Sequence, residues 1–129
     1  MTVNYKNPAI QELLDASSDH EFALSFPLPG RIFGFHAQQA IEKLLKVLIL
    51  ATGANHDYTH DIEILVESAT RLGETLPRVE FPMNDLTDFA VEFRYMTPRA
   101  LTPTERDQIR DTVRILREHV HTRLVALNA

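Results

Sequence analysis

The chain contains no cysteine. This excludes a disulfide framework, a thiolate nucleophile and a cysteine-based zinc site, and it fits a reducing compartment. The opening MTVNYKNPAI has no basic segment leading into an apolar one, and nowhere does an apolar run reach the roughly 18 to 20 residues that a membrane span needs. A cytoplasmic protein with no membrane partner is expected. Basic charge is also in short supply. The net charge is −5 at pH 7, so the molecule as a whole repels a phosphate backbone, and any nucleic-acid contact would need a local basic strip. Strand-like alternation, internal repeats and low-complexity segments are missing as well. A length of 129 residues with 44% apolar content fits one domain, residues 1–129, with an ordinary core.

The pattern that remains is helical. Asn7-Pro8 is a good helix start, and Ile10, Leu13, Leu14 and Leu24 keep helical spacing to about residue 25, where FPLPG (26–30) stops the helix. Residues 33–51, FGFHAQQAIEKLLKVLILA, form a long apolar helix that ends at Thr52-Gly53. A polar turn leads to a third helix from about His60 to Gly73, carried by Ile62, Leu65, Val66, Ala69 and Leu72. Leu86, Phe89, Ala90 and Phe93 predict a fourth helix, capped by Asn84 and running to about Tyr95. Thr102, Pro103 and Glu105 form a capping box for the last helix, whose apolar stripe runs from Ile109 to Leu127. The expected fold is all-α, an up-and-down antiparallel bundle of four to five helices.

The second helix organises the others, because its apolar residues cover more than one face. Its polar residues form a thin seam: His36, Gln39, Lys43 and Lys46 follow i, i+3, i+7, i+10 and fall in one line. Polar groups on such a helix need partners. A nucleotide's base edge and phosphate would serve, and so would a polar network that defines the fold, with His36 and His60 bonded to each other's helices or capping the start of the His60 helix.

The phrase FHAQQAIEKLLKVLIL (35–50), followed by Thr59-His60-Asp61, resembles the HEPN domain family over about residues 8–127. These are small helical proteins often encoded beside a minimal nucleotidyltransferase. The resemblance implies a nucleotide-binding or interaction subunit of a nucleotidyltransferase-paired, toxin–antitoxin-like system, with nucleotide-binding candidates His36, Gln39, Lys43, His60, Arg94 and Tyr95. It also implies a homodimer, to which the broad apolar coverage of the second helix adds a motive.

Active members of the family are metal-independent endoribonucleases with an Arg-x(4–6)-His motif. Here RILREH (114–119) matches by spacing, and Arg114 with His121 also matches. At about 100° per residue, Arg114 and His119 stand about 140° apart, whereas His121 returns to within about 20° of Arg114 and about 10 Å along the axis. The alternative function is therefore RNA cleavage across a dimer cleft by Arg114 and His121, with His119 less suited. Both candidates lie inside the final helix, although the family motif sits near a helix junction, where this chain has Arg94-Tyr95. In related toxins the transferase adenylylates a tyrosine two residues after the histidine, a position held here by His121. Arg106, Arg110, Arg114, Arg117 and His121 form a basic flank that could hold phosphate or merely solvate the helix through i, i+3 and i, i+4 pairs. The histidines show no metal-ligand spacing, and neither a metal nor a cofactor is expected.

Overall fold

The computed structural model describes residues 4–90 and 100–129. It is all-α: α1 (Pro8–Ala23), α2 (Gly30–Ala51), α3 (Ile62–Arg71), a 3-10 helix (Met83–Phe89) and α4 (Pro103–Ala126), with no strand among the described residues. The elements α1, α3, α4 and the 3-10 helix all pack on α2. Phe33, Ala37, Ile41, Leu45, Leu48 and Ile49 have no exposed surface as a result. The wide apolar coverage of α2 is thus used up within one chain, and it no longer argues for a second copy.

Local chemistry sets the ends. Asn7 caps α1 by accepting from Ala9 N–H at 3.0 Å. That helix stops at Ala23, two residues early, because the Leu24 N–H turns back to Glu21 and Phe22 carbonyls. α2 starts at Gly30 rather than Phe33, since the Pro29 carbonyl already accepts from Ile32 and Phe33. Asp61, not His60, caps α3, with its carboxylate accepting from Glu63 N–H at 2.9 Å. The predicted capping box of α4 is formed in both directions between Thr102 and Glu105. Gly53 and Gly73 close α2 and α3 with φ of 93° and 91°, a conformation that glycine adopts without strain.

The expected fourth helix differs most. What forms is seven residues of 3-10 helix capped by Pro82, ending where Ala90 becomes extended. Three residues per turn put Met83, Leu86 and Phe89 on one edge, and all three are buried. Phe89 comes down on α2 at Gly34, where a Cβ would stand 2.2 Å from its ring. The rest of the expected element, including Phe93, Arg94 and Tyr95, lies outside the described residues.

Candidate functional site

The polar seam of α2 is built around Glu42, whose side chain is 1% exposed. One oxygen accepts from Lys46 Nζ at 2.8 Å and from His60 Nδ1 at 3.0 Å. The other accepts from Gln39 Nε2 at 2.8 Å and from Gln38 Nε2 at 3.2 Å. A carboxylate only accepts, so His60 carries its hydrogen on Nδ1. Burial pushes the Glu42 carboxyl up, but the hydrogen bonds and charges of Lys46 and His60 outweigh it and hold the group below the usual carboxylate range.

The amides complete this network. Gln38 Nε2 also donates to the His60 carbonyl at 2.9 Å, and its Oε1 accepts from Gln39 Nε2 at 2.7 Å. Gln39 Oε1 in turn accepts from Lys43 Nζ at 2.6 Å. Each polar atom of both glutamines is therefore used. Lys43 is the outlet: half-buried, it spends one hydrogen inward and keeps two for other acceptors. Burial lowers its pKa, with the Glu42 charge opposing and that of Lys46 assisting.

His36 continues the seam outward but does not meet His60. Its Nδ1 lies 2.9 Å from Nδ1 of His20 on α1. Two ring nitrogens in hydrogen-bond contact hold one hydrogen between them. Phe35 stands edge-on to both imidazoles, with ring centres 6.0 Å from His20 and 5.4 Å from His36. Burial lowers the His20 pKa, and the charges of Lys43 and His36 add to the effect against Asp19 and Glu42. The structure thus joins His36 to His20, and Gln39, Lys43 and His60 to Glu42.

The basic flank of α4 is arranged differently. Arg106 donates to the Leu28 carbonyl at 2.6 Å and Arg110 to the Leu24 carbonyl at 2.8 Å. Both guanidinium groups lie over the Phe33 ring, about 5 Å from its centre. Arg117 reaches Glu21 on α1 at 2.9 Å, and Arg123 grips Glu74 in a two-point pair at 2.8 and 3.0 Å. Arg114 points to solvent between Asp111 and Glu118, at 3.2 and 3.4 Å. His121 is exposed and, with Tyr5 and Arg117, lines a cavity of about 220 Å³ between α1 and α4; Arg114 lies outside it. His119 is half-buried, and its Nε2 is a buried atom with no hydrogen-bond partner among the described residues.

Arg94 and Tyr95 lie outside the described residues, and no group of three metal-ligating side chains occurs among those described. A family model for the HEPN domain matches residues 31–123, most of the chain. The chain belongs to the HEPN domain family. No curated protein and no solved structure gives a significant match. The HEPN segment holds α2 from its second residue, His60 and nearly all of α4, whereas His20 precedes it.

Glu42, Gln38 and His20 join the site without standing out in the sequence. The first had a signal, since Glu42 stands three after Gln39 and four before Lys46, inside the same seam. His20 had none, because its role depends on how α1 lies on α2.

Proposed function

We propose that this HEPN-domain protein is the nucleotide-binding or interaction subunit of a nucleotidyltransferase-paired, toxin–antitoxin-like system, and that the ligand meets the outer part of the α2 seam. One observation carries this reading: the seam ends in half-exposed nitrogen donors, Lys43 and the His20–His36 pair, backed by a fully bonded carboxylate. The inner network fixes Lys43 through Gln39, each histidine is held by the other, and all keep polar atoms to offer. Thermal-shift screening against nucleotides tests it. A nucleotide at a hundred times its dissociation constant adds roughly 2.7 kcal/mol of stability, and no shift with any nucleotide would leave the seam a purely structural network.

HEPN domains commonly dimerise, and we infer a homodimer here. Light scattering that returns the mass of one chain would overturn this. For a nucleotidyltransferase that modifies tyrosine, Tyr58 offers a target: it is 98% exposed on the turn before α3, whereas Tyr5 is half-buried. Mass spectrometry after incubation with a cognate transferase and ATP would find the adduct there.

The ribonuclease alternative rests on Arg114 and His121. It has less behind it, because two carboxylates already engage Arg114. A cleavage assay on total RNA with Arg114→Ala and His121→Ala controls decides it, and intact RNA at high protein concentration removes the hypothesis.

A further inference from the structure

Three nitrogen groups crowd the outer end of the seam. His20 Nδ1 and His36 Nδ1 are 2.9 Å apart, and Lys43 follows His36 by seven residues on the same line of α2. The carboxylates that face this cluster are Glu42 on α2 and Asp19 on α1. Glu42 is already used by Lys46, His60, Gln38 and Gln39. Asp19 is exposed to water. No carboxylate among the described residues hydrogen-bonds to either histidine or to Lys43, so their remaining hydrogens are open to an outside anion.

The shared hydrogen decides what the pair can offer. In the neutral pair one ring donates from Nδ1, so its Nε2 has only a lone pair; the other accepts at Nδ1, so its Nε2 carries hydrogen. Neither Nε2 makes a hydrogen bond among the described residues. A neutral pair thus shows an incoming anion one donor and one repelling lone pair. A single added proton makes both Nε2 atoms donors and keeps the Nδ1 contact.

We propose that the His20–His36 pair and Lys43 form the receptor for the nucleotide's phosphate groups, and that phosphate enters together with one proton taken up by the histidine pair. This rests on the nucleotide-binding reading above and adds to it the chemical group recognised, the part played by α1 and a linkage to pH. In the free protein, burial and the neighbouring Lys43 keep His20 neutral more than usual, so the proton is still missing when the ligand arrives. The phosphate brings negative charge into direct contact with the cluster, and the pair then holds the extra hydrogen. His20 lies outside the HEPN segment, so this receptor is a feature of the present chain rather than of the domain match.

The test is calorimetric titration with ADP, inorganic pyrophosphate and adenosine, each in two buffers of different ionisation enthalpy. ADP and pyrophosphate should bind with uptake approaching one proton, and adenosine should bind at least tenfold more weakly than ADP. The affinity for pyrophosphate should fall by up to about tenfold per pH unit as pH rises from 6.5 to 7.5. His20→Asn should abolish the uptake, and Lys43→Met should weaken binding of both phosphates at every pH. Ring-proton NMR of the wild-type protein gives a readout that does not depend on a variant folding: the His20 titration should move to higher pH when pyrophosphate is added. Binding of ADP without proton uptake and without a moving histidine titration would overturn the receptor while leaving the nucleotide reading intact. Failure of ADP and pyrophosphate to bind at all would overturn both.

Discussion

Two helices carry nitrogen-rich lines along their length, and the structure treats them in opposite ways. On α4 every arginine ends on an oxygen of its own chain: Arg106 and Arg110 on carbonyls at the end of α1 and the loop after it, Arg114 and Arg117 on carboxylates, Arg123 on Glu74. On α2 a single buried carboxylate serves four donors, and the surplus nitrogen is pushed to the outer end. A basic line reads as a ligand surface only after its internal acceptors are counted. The more conspicuous stripe in the sequence, four arginines and a histidine, has every one of its arginines occupied.

The first way to break this comparison is to remove the carboxylate on one side and a cation on the other. Glu42→Ala leaves the buried Lys46 ammonium without its acceptor and each glutamine amide with one hydrogen unpaired, and stability should fall by about 3–5 kcal/mol in denaturant unfolding. Arg114→Ala should leave the unfolding midpoint unchanged, because its pairs with Asp111 and Glu118 are in water. Equal effects would mean that the two lines are not different in kind.

The dry flank of α2 gives the next largest effect. Gly34→Ala drives a methyl into the Phe89 ring and should cost about 1–3 kcal/mol, with partial recovery when Phe89→Leu is added. The nucleotide-induced thermal shift should survive in this variant, since Gly34 is not among the seam's hydrogen-bonding groups. On α4, Thr102→Ala removes one half of the capping box and should cost about 1 kcal/mol by the same measurement.

The smallest effect is in the pH dependence. The folded protein holds His20 below its ordinary value of 6.5, so the unfolded chain binds the proton first, and acidification through about pH 6.5 lowers stability. Glu42 acts in the other range: its depressed carboxyl contributes stability above about pH 4.5 that is lost only as pH falls further, through the folded value. Thermal melts from pH 7.5 to 5.5 should therefore show a modest decline that flattens in His20→Asn.

Much of the fold was legible because its signals are local. The Asn7 and Thr102 caps, the FPLPG break and the apolar spacing of residues 33–51 each act within a few residues. The fourth element is ambiguous in sequence because Met83, Leu86 and Phe89 fit a period of three as well as 3.6, and the packing of Phe89 on Gly34 is a tertiary contact that no local signal announces. The seam was half legible. Gln39, Lys43 and His60 declared themselves as polar residues on or beside an oily helix, whereas Glu42, which accepts from Gln39 and His60, went unremarked. The His20–His36 contact spans sixteen positions and two helices, and no spacing rule reaches it.

The outer seam of α2, not the flank of α4, is the proposed ligand surface. An NMR titration with ADP, followed through the backbone and histidine-ring signals, tests this most directly. The account predicts shifts concentrated at His20, His36, Gln39 and Lys43 with α4 quiet, whereas shifts centred on Arg114 and His121 would contradict it.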